Sequence, residues 1–267
     1  PDETIRLVEL PSTTDIMHAL RTGTIEAAGL TLDEFLGLRA EGLDLRVALV
    51  FDASLGADAL VARSDVATLA DLRGRRVGVE QSAVGLVVLD AALKAGGLSM
   101  NDVEMVAVTL DQHLDAFGDG RVDAIVTFEP VLTHVRRNGG KVLFDTSRMP
   151  DRIVDLLVVR ADVLDDMQEP LRMLVRAWFD ALRYFEDNPA QALEGMQARQ
   201  RLSVEELTDS LGGLRLADLD ENRRMLLGES PLLQQNAEDM AVFMLERGLL
   251  PIMPSLADMI DTQVLPW

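Results

Sequence analysis

The residues whose types and spacing could do chemistry centre on a polar corner formed by Glu80, Gln81 and Ser82. An apolar run at residues 77–79 precedes the corner and predicts a buried strand, and apolar residues at helical spacing from 84 to 93 predict a helix behind it. The first N–H groups of a helix lack partners inside the helix and carry partial positive charge, so they can bind a small polar or anionic ligand. Alternatively, Ser82 only caps its own helix.

Strands and helices alternate around this corner through the first half of the chain. The spacing of a helix cap occurs at Ser12 with Asp15, Thr31 with Glu34, Thr68 with Asp71, and Ser99 with Asp102. Apolar runs predict strands at residues 5–10, 25–30, 45–51, 58–62, 77–79, 103–108 and 153–159. This alternation predicts an α/β fold with a mostly parallel sheet, in which ligands bind beyond the carboxyl ends of the strands.

An internal echo suggests that two parts of the chain are built alike. Residues 19–28 read ALRTGTIEAA and residues 116–125 read AFGDGRVDAI, and both predict the end of a helix, a glycine turn and then a strand. Two such units predict two lobes of related construction. The alternative is chance, because helix–glycine–strand turns are common. Past residue 151 predicted helices dominate, which fits a chain that returns to its first lobe.

The composition excludes several classes of function. The chain has 267 residues, is 48% apolar and carries a formal net charge of −20. Its length suits one large or two small globular domains. Such an acidic surface repels polyphosphate and anionic lipid, so we expect no nucleic-acid partner. No apolar run approaches the roughly 20 residues that cross a bilayer, so we expect no direct membrane insertion.

Cysteine and histidine usage argues against metal and cofactor chemistry. The chain has no cysteine, which excludes disulfides, thiolate metal sites and a cysteine nucleophile. His18, His113 and His134 share no metal-ligand spacing with each other or with carboxylates, so we expect them to be surface or structural residues. The sequence therefore predicts no metal site and no cofactor.

Three stretches carry a resemblance to a known family. They are GADALVARSDVATLADLRGRRVGVEQSAVGLVVLDAALKAGGLS from residue 56, AFGDGRVDAIVTFEP from residue 116, and FMLERGLL from residue 243. In this order they resemble the solute-binding proteins of ABC importers, in the nitrate/sulfonate/taurine group that also includes binders of thiamine-pyrimidine precursors. Each stretch alone is a weak signal, whereas the combination is specific.

The resemblance implies a bilobed type II periplasmic-binding-protein fold. Two α/β lobes would be joined by two crossovers, with the ligand clamped in the cleft and closure by hinge bending. Lobe one would comprise residues 1–72 and 152–267, and lobe two residues 73–151. Family members begin with a strand and a helix ahead of the VELPS-like segment, so we expect this first strand–helix unit to be missing from the chain.

Strand ends and the resemblance together predict the ligand-binding residues. These are Ser12, Thr31, Ser54, Glu80, Gln81, Ser82, Thr127, Phe128, Glu129 and Asp155. For Ser12 and Thr31, simple helix capping is the alternative role. Phe128 could stack on a ligand ring or pack in the core. We expect no catalytic residue among them.

The predicted charge of the ligand rests on Glu80, Glu129 and Asp155, which fall at strand ends or at the second crossover. Several carboxylates in one cleft would select a cationic or amine-bearing solute. Glu129 precedes Pro130, so its carboxylate could instead complement the dipole of a following helix. At Ser82 the helix N-terminus favours an anionic group and Glu80 opposes one, so the prediction is an amine-bearing, zwitterionic or heteroaromatic solute.

The resemblance implies a binding protein rather than an enzyme. It would capture a small organic solute and deliver it to the membrane subunits of an ABC importer. We expect a monomer that is either periplasmic or extracellular and lipid-anchored. No export signal is visible in the chain. Two alternatives stay open: a ligand-sensing domain of a signalling receptor, and an enzyme of thiamine-precursor metabolism on the same fold. The enzymes of that group rely on cysteine, which this chain lacks.

Overall fold

The structure is a computed structural model, and it describes residues 5–10 and 12–266. The chain forms two compact units. Unit one contains the chain up to Ala53, Val154–Ala192 and the chain from Leu216, and unit two contains Ser54–Ile153 and Leu193–Arg215. The predicted lobes place residues 54–72, 152–153 and 193–215 differently, because no feature of the sequence indicated that these segments pack with unit two.

The elements follow the predicted alternation of strands and helices. The strands are β1 (Ala27–Thr31), β2 (Leu45–Ser54), β3 (Asp58–Ala62), β4 (Arg76–Val79), β5 (Glu104–Ala107), β6 (Ala124–Phe128), β7 (Lys141–Asp145), β8 (Val154–Arg160) and β9 (Leu214–Leu216). The α-helices are α1 (Thr13–Thr22), α2 (Leu32–Ala40), α3 (Ala83–Ala95), α4 (His113–Gly118), α5 (Val131–Arg137), α6 (Leu164–Asp187), α7 (Pro189–Gln200), α8 (Val204–Gly212), α9 (Leu219–Leu226) and α10 (Leu232–Glu246). Among the described residues, none of these helices has both the length and the apolar character to span a bilayer.

Unit one is built on a sheet in which β8 lies between β1 and β2. The apolar face of α2 supplies Phe35, Leu36 and Leu38 to the core, and all three are fully buried. β2 contributes Leu45 and Leu49, which are equally buried. Burying side chains of this size contributes roughly 1.5–3 kcal/mol each, so this packing holds α2 against the sheet.

Unit two is built on a sheet with the order β5-β4-β6-β3-β7, covered on both faces. On one face, Val88 and Leu89 of α3 pack with Leu60 of β3. On the other face, Phe117 of α4 packs with Val61 of β3. Successive side chains of a strand point to opposite faces, and for that reason β3 reads as a continuous apolar run with both faces buried.

The unit-two sheet is mixed, and in the other sheet β8 is antiparallel to both of its neighbours, so the prediction of a mostly parallel sheet is wrong. β4 runs parallel to β5 and β6, but β3 is antiparallel to β6 and β7, and β8 is antiparallel to β1 and β2. The antiparallel direction of β8 follows from the point at which the chain re-enters the sheet. The backbone N–H of Ser54, at the end of β2, donates to the carbonyl of Ile153, just before β8. A strand that starts beside the end of its neighbour must run the other way.

The predicted strand at residues 5–10 is also wrong. No strand is assigned there, and Leu7 and Val8 are 68% and 48% exposed. Strand formation needs a hydrogen-bonded neighbour as well as apolar side chains. No strand of the described chain pairs with this segment. Apolar content alone therefore misled the prediction.

The internal echo corresponds to a shared turn in the two units. Gly23 after α1 and Gly120 after α4 adopt nearly the same left-handed conformation, with φ of 69° and 71°, which suits glycine because it has no Cβ. Both turns are closed by the same bonds: Thr24 N–H to Ala19 O at 2.9 Å in unit one, and Arg121 N–H to Ala116 O at 3.0 Å in unit two.

The equivalence extends to the neighbouring strand. In unit one β1 pairs with the antiparallel β8, and the N–H of Arg160 donates to Glu26 O at 3.0 Å. In unit two β6 pairs with the antiparallel β3, and the N–H of Arg63 donates to Asp123 O at 3.0 Å. The two units thus share a helix–turn–strand with an antiparallel partner, as the sequence echo predicts.

Candidate functional site

Six of the predicted binding residues lie along one edge of the unit-two sheet. Glu80, Gln81 and Ser82 follow the carboxyl end of β4; Thr127 and Phe128 end β6, and Glu129 comes directly after it. β4 and β6 are parallel neighbours, with Gly78 opposite Ile125, so their carboxyl ends meet at one edge. We call residues 80–82 and 127–129 the unit-two edge.

The polar corner of this edge is held by the start of α3. The N–H of Gly85 donates to Ser82 Oγ at 3.2 Å, so Ser82 does cap its helix. A Cβ on residue 85 would lie 2.9 Å from the carbonyl oxygen of Glu80, which explains the glycine. Gln81 is exposed and Ser82 half-buried. The other N–H groups of the first helical turn have no partner inside the helix, and a ligand contact there stays a prediction.

Thr127 is tied to a buried histidine. Its Oγ lies 3.0 Å from Nδ1 of His113, and Nε2 of the same ring lies 3.3 Å from the carbonyl oxygen of Val108. Both side chains are 1% exposed. Burial lowers the pKa of His113, against the opposing charges of Glu80 and Asp111 and the bond to Val108. His113 is structural, as predicted, but the sequence did not indicate that it belongs to this edge.

Glu129 has the alternative role that the sequence left open. Its carboxylate accepts from the Thr133 N–H at 3.1 Å and the Thr133 hydroxyl at 3.0 Å, in the first turn of α5. It also lines a cavity of about 360 Å³ within unit two, beside Asp145, Asp209 and Arg136. A ligand contact by Glu129 stays a prediction.

Ser54 is 4% exposed and lies in a buried chain of hydroxyls. The N–H of Gly56 donates to Thr146 Oγ1 at 2.8 Å, Thr146 and Ser54 hydroxyls lie 2.7 Å apart, and Ser54 Oγ donates to Asp58 at 2.5 Å. Because Ser54 gives its proton to Asp58, Thr146 must donate to Ser54. The position fits a residue that stabilises the start of unit two, and its contact with a ligand stays a prediction.

In unit one, two predicted binding residues meet where β1 ends and β8 begins. Thr31 of β1 and Asp155 of β8 are partners in the strand register, and Asp52 of β2 faces Asp155 from the other side. Thr31 opens α2 with a capping box: its N–H donates to Glu34 at 3.0 Å and its hydroxyl to Asp33 at 2.5 Å. Ser12 lies elsewhere in unit one, as the cap of α1, where the Asp15 N–H donates to Ser12 Oγ at 3.2 Å.

Sequence reasoning missed that Asp33 and Glu34 join Asp155 in one buried group, which we call the acidic cluster. Burial raises the pKa of Glu34 to about 7, and the charges of Asp33 and Asp155 add to the rise against the bonds from Thr31. Burial and the charge of Asp33 also raise the pKa of Asp155. Carboxylates in such surroundings favour a proton or another cation. The only sequence signal was that Asp33 and Glu34 lie two and three residues after Thr31.

Metal binding has no support from the side chains. In the part of the chain that the structure describes, no group of three or more histidine, aspartate or glutamate side chains has the arrangement of a metal site. The carboxylates of the acidic cluster can hold a proton or pair with an organic cation.

The two α/β units, each with polar residues at strand ends of its sheet, define the fold class of the periplasmic binding proteins. The crystal structure of the aliphatic sulphonate binding protein SsuA from Escherichia coli matches with a TM-score of 0.78 and 19% identity, covering 95% of this chain and 85% of that one. At that identity the match shows the fold, which confirms the predicted fold class.

The family follows from the sequence comparison. The profile described as NMT1/THI5 like matches residues 4–192. The chain belongs to this NMT1/THI5-like family, and the resemblance predicted from its motifs is confirmed.

Two curated relatives come from Escherichia coli. The taurine-binding periplasmic protein is 24% identical over 177 residues, or 65% of this chain and 55% of the relative. The putative aliphatic sulfonates-binding protein is 28% identical over 148 residues, or 54% of this chain and 46% of the relative. The match to this chain thus spans about half the length of these relatives.

Proposed function

We propose that the protein is an extracytoplasmic solute-binding protein that captures a small organic solute and delivers it to the membrane subunits of an ABC importer. The family match and the two relatives named for solute binding support this role. Binding proceeds without turnover of the solute. The protein works as a monomer in the periplasm, or outside the cell on a lipid anchor.

The acidic cluster is the observation that carries the choice of solute. Glu34 has its pKa raised to about 7 because burial, and to a smaller extent the charges of Asp33 and Asp155, make its ionisation costly. An ammonium group that takes the place of the proton relieves the same repulsion and gains charge-assisted hydrogen bonds. The solute is therefore amine-bearing, and taurine, the ligand named for one relative, is an aminosulfonate that meets this requirement.

The unit-two edge has groups of its own that suit polar and ring atoms of a small organic solute. The first turn of α3 behind Ser82 presents backbone N–H groups, which suit a sulfonate or carboxylate oxygen. Gln81 adds an exposed amide that can donate or accept. Phe128 offers a half-buried ring face for a heteroaromatic solute. Thr31 and Asp155 in unit one, with Glu80 and Glu129 in unit two, complete the proposed contacts.

The test is a thermal-shift comparison of taurine with ethanesulfonate, which has the same sulfonate and carbon chain but no amine. A ligand at 100 times its Kd stabilises the folded protein by about 2.7 kcal/mol, which is readily measured. We expect taurine to raise the melting temperature more than ethanesulfonate does, and Glu34→Gln to reduce the taurine shift. If ethanesulfonate or nitrate gives the larger shift, and Glu34→Gln leaves it unchanged, the amine-bearing solute is wrong.

A further inference from the structure

His113 is the one histidine of this chain whose ring the structure places at a predicted binding edge. It begins α4, and its ring is enclosed between the ends of two strands. Nε2 faces the carbonyl oxygen of Val108, which follows β5, and Nδ1 faces the hydroxyl of Thr127 in β6.

The bonds define the protonation state of the ring. A carbonyl oxygen only accepts, so Nε2 must carry the hydrogen that is given to Val108. A neutral ring then has a bare Nδ1, which accepts the proton of the Thr127 hydroxyl. His113 is therefore the neutral Nε2–H tautomer, and the Thr127 hydroxyl donates its hydrogen to Nδ1 of the ring.

These bonds extend to the third strand of the edge. The N–H of Val108 donates to the carbonyl oxygen of Val79 at 3.1 Å, and Val79 is the last residue of β4, directly before Glu80. A continuous chain of hydrogen bonds thus runs from β4 through Val108 and His113 to Thr127. At one end of this chain of bonds, Val79 precedes residues 80–82 of the unit-two edge; at the other end, Thr127 begins residues 127–129.

We propose that His113 is the positioning residue of the unit-two edge: its neutral ring holds residues 80–82 and residues 127–129 at the separation that the solute requires. This inference rests on the proposed function for the role of the edge in binding. The bonding geometry itself does not depend on a ligand. His113 acts through Glu80 and Thr127 and is not itself a contact of the solute.

Burial of the ring favours this assignment. It holds the pKa of His113 below its usual value of 6.5, while the bond to Val108 and the charges of Glu80 and Asp111 oppose the shift only in part. The ring is therefore neutral at neutral pH. Protonation would place a hydrogen on Nδ1, and Thr127 would have to turn its hydroxyl away, which breaks the chain of bonds between the strands.

Hydrogen exchange tests the positioning without any ligand. His113→Leu fills the space but leaves Val108 and Thr127 without their partner, and His113→Gln restores an N–H donor and an oxygen acceptor. We expect His113→Leu to speed exchange at residues 79–82 and 127–129 by about tenfold relative to the rest of unit two, and His113→Gln to bring it back. Phe144→Ala, in β7 at the far edge of the same sheet, is the control for general loss of stability.

Two results would overturn the proposal. One is uniform faster exchange across unit two in His113→Leu, as in Phe144→Ala, because His113 would then be an ordinary core residue. The other is an imidazole nitrogen spectrum that shows the Nδ1–H tautomer, or a ring that titrates at 6.5 or above.

Binding of taurine then separates this inference from the proposed function. We expect the Kd for taurine to rise about tenfold in His113→Leu and to return close to the wild-type value in His113→Gln. An unchanged Kd in His113→Leu would overturn the positioning role. If the wild-type protein fails to bind taurine while the exchange result holds, the proposed solute is wrong and His113 still positions the edge.

Discussion

Removing the Glu34 carboxyl should change how stability depends on pH. Glu34 is largely buried beside Asp33 and Asp155, and its pKa is raised from 4.5 to about 7. Each tenfold change in proton affinity corresponds to about 1.4 kcal/mol, so ionising Glu34 costs about 3 kcal/mol more in the folded protein than in the unfolded chain. The folded state holds this proton more tightly than the unfolded state does. Its contribution to the free energy of unfolding is therefore complete below pH 4.5 and is lost as the pH rises through 7.

Glu34→Gln keeps an oxygen that can accept from the Thr31 N–H but cannot ionise. Relative to the wild-type protein, we expect this variant to gain about 3 kcal/mol in free energy of unfolding between pH 4.5 and pH 8. Urea denaturation followed by circular dichroism at several pH values measures the difference directly.

Glu41→Gln provides a control of opposite sign. Arg21 hydrogen bonds to Glu41 and lowers its pKa, so Glu41 stabilises the folded state above its unfolded pKa, and that stability is lost as the pH falls through the folded value. If the stability difference between wild type and Glu34→Gln stays constant from pH 4.5 to 8, burial does not raise the pKa of Glu34 and the reasoning fails.

Two further substitutions test the local geometry. Gly85→Ala places a Cβ 2.9 Å from the Glu80 carbonyl oxygen and should lower the free energy of unfolding by about 1–3 kcal/mol. As the control, Gly195→Ala in α7, where a Cβ meets nothing within 4 Å, should raise the free energy of unfolding by about 0.5–1 kcal/mol. Urea denaturation measures both, and equal effects of the two substitutions would contradict a tightly packed corner. The side chain of Asn222 is fully buried; it accepts from the Val50 N–H at 2.8 Å and donates to the Val50 carbonyl at 3.0 Å. Asn222→Ala should therefore lower the free energy of unfolding by about 2–5 kcal/mol, because both Val50 groups lose their partner. A loss below about 1 kcal/mol would contradict a stabilising role for these two bonds.

Local chemistry made much of the fold predictable. The capping boxes at Thr31 with Glu34 and at Thr68 with Asp71 appear where their spacing placed them, because a cap involves only residues three apart. The strand at Asp58–Ala62 was also predicted to the residue, since a strand buried on both faces needs an unbroken apolar run.

The errors concern partners distant in sequence. Residues 5–10 have the apolar content of a strand but no neighbour to pair with, and the direction of β8 depends on where the chain re-enters the sheet. Nothing local indicated that α8 packs with unit two. There, Glu205 and Glu206 pair with Arg137 and His134 of α5.

The candidate site was likewise predictable only where it depends on residues close together in sequence. The polar corner at Glu80 and Ser82 was visible because a strand and a helix meet there in sequence. The raised pKa of Glu34 could not be predicted from the sequence, because it requires burial and the charge of Asp155, which is distant from Glu34 in sequence. His113 likewise gains its meaning only from Val108 and Thr127, which folding brings to its ring.

Calorimetric titration with taurine near pH 7, in two buffers of different ionisation enthalpy, tests the central claim most directly. With a pKa of about 7, Glu34 is about half protonated there, so an ammonium group that replaces its proton should release up to about half a proton per ligand bound. We predict binding heats that depend on the buffer for taurine, with weaker binding and no proton release for ethanesulfonate. Equal affinity for the two solutes, with heats independent of the buffer, would contradict recognition of an amine by the acidic cluster.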